Sequence, residues 1–292
     1  MNDPKTRTLD VPGAVLQYDV REAAAGSPAA PVLVMVGSPM GAAGFGSLAG
    51  HFADRTVVTY DPRGVERSVV TDDSTENVPE DHAEDISRII TALGAGPVDL
   101  LGSSGGAVNS LALVTRHPEQ VRTLVAHEPP AFAPLPDRAA ALAASRAVAE
   151  AYQQDGLGAG MARFIVLAGH RGEVTEEYLA APAPDPAGFG LPTGDDGSRN
   201  DPLLGRNMIS CTHYEYDYDA LQAASTRIVV GVGAESAGEL AHRAGAALAE
   251  RLGRQPVVFP SHHGGFLGGE YGQNGDPEAF AATLRQVLDG PA

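Results

Sequence analysis

The chain reads as a series of short apolar runs separated by polar or glycine-rich turns. Thr8–Val11 and Val15–Val20 alternate apolar and polar positions around Pro12-Gly13, the pattern of a hairpin. Pro31–Val36 is a continuous apolar run, as expected of a buried strand; Thr56–Tyr60 reads as the next buried strand, and Pro97–Leu101 and Val121–His127 as two more strands. Arg227–Val232 and Pro256–Phe259 repeat that signal near the C-terminus. Segments with helical spacing lie between them. Glu80–Leu93 places Ile86, Ile89, Ile90 and Leu93 on one face, and Ala107–Arg116 stops before Pro118. Ala237–Leu252 is closed by Gly253, and Pro277–Leu288 is the last helix. Strands alternating with helices predict an α/β protein, a mostly parallel eight-stranded sheet flanked by helices.

The rhythm breaks once. Residues 131–222 hold helical patterns near Asp137–Gln153 and Gly158–Ala168, a Pro/Gly/Asp-rich stretch from Pro182 to Pro202, and a helical stretch ending near Tyr218. No strand pattern occurs there. The prediction is a helical cap over 131–222, inserted into a core domain made of residues 1–130 and 223–292. Pro182–Pro202 is expected to be a mobile loop.

Composition narrows the partners. At 292 residues the chain has ample surface to bury a core. A net charge of −17 argues against a nucleic acid or an anionic membrane surface, which would need a basic patch. No run approaches the ~18 apolar residues that span a bilayer. Met1–Asp10 is polar with no signal-like apolar stretch, so the expected location is cytoplasmic. The single cysteine, Cys211, excludes an intrachain disulfide and reads as a small, half-buried residue. No histidine or carboxylate grouping has metal-ligand spacing, so neither metal nor cofactor is expected. His51, His82, His117 and His242 fall on helices or their ends and read as solvated positions. Gly231-Val-Gly233 hints at a dinucleotide fingerprint, but Ser236 occupies the third glycine position and no acidic residue closes the next strand. The partner expected is a small molecule, with a homodimer as the assembly considered.

Candidate chemistry begins at Gly102-Ser103-Ser104-Gly105-Gly106, which matches G-x-S-x-G. It follows a buried strand and opens a helix, the context of a nucleophile elbow. Such a turn strains the serine backbone and exposes its hydroxyl over a helix N-terminus. Ser103 competes, but Leu101 rather than glycine precedes it by two, which favours Ser104.

With Val36-Gly37-Ser38-Pro39, Tyr60-Asp61-Pro62-Arg63-Gly64 and Ser68, the elbow, and Pro260-Ser-His-His-Gly-Gly-Phe266, the chain resembles the α/β-hydrolase superfamily along nearly its whole length. It looks like a bacterial esterase-type branch with a helical cap, and its Ala, Gly and Arg usage looks like that of an actinobacterium. The resemblance implies a Ser-acid-His triad in that chain order. The base should follow the last strand. Similar hydrolases place this histidine before a small residue and an aromatic, which favours His263 over His262. The acid stays open between two residues. Glu235 lies just after the penultimate strand, one residue before Ser236, which occupies the customary acid position. Glu128 follows the strand after the elbow, where some members such as one branch of haloalkane dehalogenases carry their acid. The reading leans to Glu128. The oxyanion donors implied are the N–H groups of Gly105 and Ser38, with Met40 behind Ser38 because Pro39 has no N–H. Asp61, Arg63 and Ser68 match a loop that braces the site. In the cap and beside it, Met40, Tyr152, Met161, Phe164 and Tyr214 are candidates to line a substrate pocket, as are Met208 and Tyr216.

The function these features imply is hydrolysis of a carboxylic ester, lactone or thioester of a small, largely neutral substrate through an acyl-enzyme. Acyl transfer and cofactor-free perhydrolysis share the same residues. A ligand-binding role is the remaining alternative.

Overall fold

The computed structural model describes residues 3–290. Its centre is one sheet in the order β1-β2-β4-β3-β6-β7-β8-β9. The strands are β1 (Lys5–Val11), β2 (Ala14–Arg21), β3 (Leu33–Val36), β4 (Val57–Asp61), β6 (Val98–Ser103), β7 (Val121–His127), β8 (Arg227–Gly233) and β9 (Val257–Phe259). A ninth strand of two residues, β5 (Val69–Val70), pairs antiparallel with β2 beyond the eight expected. β2 is antiparallel to β1 and β4, and every pairing from β4 through β9 is parallel. The apolar runs occupy the parallel part because those strands are covered on both faces.

Helices α2 (Pro79–Leu93), α3 (Gly105–Arg116) and α9 (Leu240–Arg251) cover one face. Ile86, Ile89 and Ile90 of α2 meet Val108 and Leu111 of α3 there, all at most 2% exposed. This is the stripe that the spacing predicts. Helices α1 (Gly46–Gly50) and α10 (Pro277–Asp289) cover the other face, where Leu48, Phe280 and Leu284 pack on Leu33, Leu101 and Phe259. At the start of β6 the fully buried Asp99 accepts from Arg55 and from Arg122 (2.7 and 2.8 Å). Two guanidinium partners offset the cost of removing this carboxylate from water.

Between β7 and β8 every regular element is helical. α4 (Arg138–Asp155) and α5 (Leu157–Ala168) pack together, followed by α6 (Glu176–Ala180). A π-helical turn, Pro202–Asn207, runs into α7 (Met208–Thr212). The helical stretch expected to end near Tyr218 is interrupted: α7 stops at Thr212, and α8 (Tyr218–Ala223) starts with Asp217 capping Ala220 N–H. α4, α5 and α7 share an apolar cluster built on Phe132, Val148, Tyr152, Leu167 and Met208. Leu221 of α8 packs instead in the core under the sheet. Pro182–Pro202 holds one short 3-10 turn, Pro186–Phe189.

One expectation fails in this frame. His82 on α2 is not solvated but fully buried, because it faces the inserted helices, which its own helix pattern could not reveal.

The order reverses between β4 and β6, with β3 in the middle. Open α/β sheets bind ligands at such a point, outside the strand C-termini. The register aligns those ends: Val36 lies beside Gly102, Ser103 beside His127, His127 beside Gly231, and Gly233 beside Phe259. The loops carrying Ser38, Ser104, Glu128 and His263 therefore leave the sheet at one edge.

Candidate active site

Ser104 is the residue between β6 and α3, with φ 56° and ψ −128°. A non-glycine residue in this region costs about 1–3 kcal/mol, and such strain concentrates at functional sites. The turn survives because its glycines allow close approach. A Cβ on Gly106 would lie 2.2 Å from the Val36 carbonyl oxygen. One on Gly105 would lie 2.6 Å from the Ser38 carbonyl oxygen. The Ser104 N–H is tied to the His127 carbonyl at 3.0 Å. Its side chain makes no hydrogen bond among the described residues.

His263 follows β9, and its Nδ1 lies 2.6 Å from Glu128 Oε2. The structure thus brings Glu128 to the histidine and leaves Glu235 out. Glu235 is exposed, because its N–H pairs with the Ser261 carbonyl and that pairing turns the residue outward. His262 also turns away. Its Nδ1 accepts from Gly264 N–H and its Nε2 contacts the Asn274 carbonyl at 3.1 Å.

Glu128 is completely buried and has φ 47°. Its Oε1 accepts from the Gly233 N–H at 2.8 Å and from Ser236 Oγ. His242 Nδ1, bonded to the Gly233 carbonyl at 3.1 Å, stands 3.6 Å from the same oxygen. Burial alone would raise the Glu128 pKa. His242 and His263 outweigh it and hold the carboxyl far below the usual carboxylate range. His242 is raised in return, chiefly by Glu128. His242, expected to be a solvated helix position, is instead half-buried against Glu128, because α9 brings it to the Gly233 carbonyl at the end of β8, and neither it nor Ser236 is legible as a site residue in the sequence. The signal for Ser236 is positional: a hydroxyl stands at the position the resemblance assigns to an acid, and it donates to Glu128.

These shifts set a pH dependence of stability. A lowered carboxylate contributes stability above its ordinary value of 4.5, and this is lost as pH falls toward the folded pKa. A raised histidine contributes fully below 6.5 and loses its share as pH rises through the folded pKa. In urea denaturation, wild type is expected to lose more stability than Glu128→Gln between pH 5 and 3. It should also lose more than His242→Gln between pH 6 and 9. Parallel profiles for wild type and both variants would remove the Glu128–His242 interaction from the account.

Behind the pair, His127 is fully buried against Phe259, Phe266 and Phe280. Burial lowers its pKa to about 4, so it is a neutral ring packed 6.2 Å from the His263 ring.

Ser104 and His263 both face a cavity of about 300 Å³. Its floor is Ser38, Pro39 and Gly105, and its walls include Phe132, Phe164, Leu167, Leu203, Met208 and Leu240. Phe164 and Met208 are therefore in place. Met40, Tyr152, Met161 and Tyr214 are not. Tyr152 is 1% exposed, and its hydroxyl accepts the Asp201 N–H inside the helical insertion. Met161 packs in the same cluster. Tyr214 packs edge-on against Tyr216 beside the main core. Tyr216 is likewise buried in that core. Met40 lies against Gly37, Gly44 and the opposite apolar cluster. Each of the four is turned inward by packing that residue type alone cannot predict. Cys211, expected to be an inert half-buried residue, borders the cavity. Its Sγ would lie 3.2 Å from a Cβ on Gly105, and burial pushes its thiol up to about 12.

Asp61, Arg63 and Ser68 stay outside the cavity and brace it. Asp61 accepts from the Ala42 N–H at 2.8 Å, Arg63 holds Asp85 in a two-bonded pair, and Ser68 ties Asp61 to Gln17. Among the described residues there is no cluster of potential metal ligands, and no helix is long and apolar enough to cross a membrane.

The family model described as alpha/beta hydrolase fold matches residues 30–165. A protein of Bacillus subtilis (strain 168) described as uncharacterized hydrolase YraK is 29% identical over 265 residues, 89% of each chain. Among solved structures, a thermophilic esterase from Thermogutta terrifontis superposes with a TM-score of 0.64 at 19% identity, covering 99% of this chain and 98% of the other. The enol-lactonase from Burkholderia xenovorans LB400 gives 0.64 at 16% identity, covering 97% and 100%.

Proposed function

Since the chain has the α/β-hydrolase fold, we propose that it is a serine hydrolase of carboxylic esters, lactones or thioesters with a small, uncharged acyl group. The observation that carries this reading is the convergence of a strained Ser104 and the His263–Glu128 pair on one largely apolar cavity. In the proposed cycle Ser104 Oγ attacks the carbonyl carbon while His263 Nε2 takes the hydroxyl proton. The N–H groups of Gly105 and Ser38 receive the developing oxyanion. His263 then gives its proton to the leaving oxygen or sulfur, and the acyl group remains on Ser104. Water, deprotonated by His263, discharges the acid. Glu128 holds the His263 tautomer and stabilises the imidazolium.

The cavity favours an uncharged acyl group. Glu239, the carboxylate on its wall, is paired with Arg171 at 3.2 Å. The volume is at the small end for ligand sites. The names of the two solved structures, an esterase and an enol-lactonase, support ester or lactone bonds as the class.

The test is covalent labelling with a fluorophosphonate, read by mass spectrometry, beside turnover of p-nitrophenyl esters of graded chain length and the matching p-nitroanilides. Labelling at Ser104, with turnover of short and medium esters and none of the anilides, is the expected result. Faster anilide cleavage would make the chain an amidase, and a folded protein that never labels would end the serine-hydrolase reading.

A further inference from the structure

We propose that Asn207 is a positioning residue for the oxyanion site, holding the Ser38 turn from the helical insertion. The proposal rests on the serine-hydrolase reading of the cavity.

In the turn after β3, Val36 supplies no polar side chain next to Gly37-Ser38-Pro39. A brace comes from 169 residues away. Ser38 Oγ donates to Asn207 Oδ1 at 3.2 Å, with both residues buried. The same oxygen contacts His82 Nε2 at 3.1 Å, and the fully buried His82 has no partner at Nδ1. An acceptor at Oδ1 requires the proton of His82 on Nε2. Burial lowers the His82 pKa to about 4, which keeps the ring neutral. Asn207 Nδ2 donates to the Pro202 carbonyl at 2.8 Å, so the amide is oriented from both ends.

The segment bearing Asn207 is itself fastened to the sheet domain. Arg206 donates to the Ser74 carbonyl at 2.9 Å and Ser210 to the Asn77 carbonyl at 2.6 Å, while the Asn77 N–H bonds the Arg206 carbonyl. Asn207 borders the cavity between Leu203 and Met208, where an apolar side chain would pack without burying an amide. Its Oδ1 is shared between Ser38 and His82, and its Nδ2 is held by the Pro202 carbonyl. The gap these contacts control is narrow, since a Cβ on Gly105 would meet the Ser38 carbonyl oxygen at 2.6 Å and the Ser38 Cβ at 3.3 Å. Small displacements of this turn move one proposed donor relative to the other, and donor placement matters most for the tetrahedral state.

The experiment is a double-mutant cycle with Ser38→Ala and Asn207→Leu, assayed with a p-nitrophenyl ester and with inhibition by an alkylboronic acid and by the product carboxylic acid. Ser38→Ala keeps the backbone N–H and leaves the insertion untouched, so it tests the contact even if Asn207→Leu misfolds. Each variant is expected to lower kcat by about 5- to 10-fold, the size of one lost buried hydrogen bond. KM should stay within about twofold. Boronate affinity should fall with kcat while carboxylate affinity holds, and the double variant should be no worse than the weaker single. A merely structural Asn207 would instead give multiplying effects or a loss in KM. Ser38→Ala with wild-type kcat, or multiplying effects, overturns the proposal in an enzyme that labels and turns over. Absence of fluorophosphonate labelling in wild type overturns the hydrolase reading, and this proposal with it.

Discussion

Ser104→Ala is expected to lower kcat by about 10⁴- to 10⁶-fold on the preferred p-nitrophenyl ester and to abolish the burst of p-nitrophenol. The hydroxyl is the only group removed. The strained turn is held by backbone bonds from Ser104 N–H to the His127 carbonyl and from Ala107 N–H to the Ser104 carbonyl, which alanine retains. KM should change little, since the apolar walls that hold the acyl group stay in place. Thermal melting should be close to wild type. Residual activity above water would come from the oxyanion donors and from binding. Pre-steady-state kinetics read both quantities, and a variant within tenfold of wild type would place the nucleophile elsewhere.

Glu128→Gln is expected to lower kcat by about 10⁴-fold, whereas Glu235→Gln should stay within about twofold. The reason lies in the 2.6 Å contact between Glu128 Oε2 and His263 Nδ1. An amide cannot balance the imidazolium that forms when Ser104 gives up its proton. If its NH₂ faces His263, it also forces the tautomer that presents a proton to Ser104 instead of a lone pair. Oε1 of the carboxylate is occupied by Gly233 N–H and Ser236 Oγ, so an amide that keeps its oxygen on His263 instead sets its NH₂ against the Gly233 N–H. Some destabilisation should accompany the change, because the site is fully buried and the lost charge also faces His242. Measuring kcat and urea midpoints together separates the two effects. Loss of activity in Glu235→Gln with full activity in Glu128→Gln would reverse the assignment.

The alternation of apolar runs and helical spacing was enough to specify a mostly parallel sheet with helices on both faces. Burial on both sides of a parallel strand favours runs rich in Val, Leu and Ile, and that preference is local. Val121–His127 and Arg227–Gly233 are found within a residue of where the pattern places them. The elbow at Ser104 was legible for the same reason, since a tight strand-to-helix turn needs glycine at fixed offsets. His263 and Glu128, both candidates from the sequence, are in contact in the structure.

What only the tertiary structure decided is which distant groups meet. Choosing Glu128 over Glu235 required the parallel register that sets His127 beside Gly231, together with the Ser261 pairing that turns Glu235 outward. Ser236, His242 and Asn207 stand 108, 114 and 79 positions from Glu128, by difference of residue number, and no local pattern marks them as its neighbours or as Ser38's. The pocket is the plainest case. Phe164 faces it and Tyr152 does not, although both are large apolar-bodied residues on adjacent helices. Helical spacing shows that a face is buried, but packing between α4, α5 and α7 decides whether that face meets another helix or a cavity.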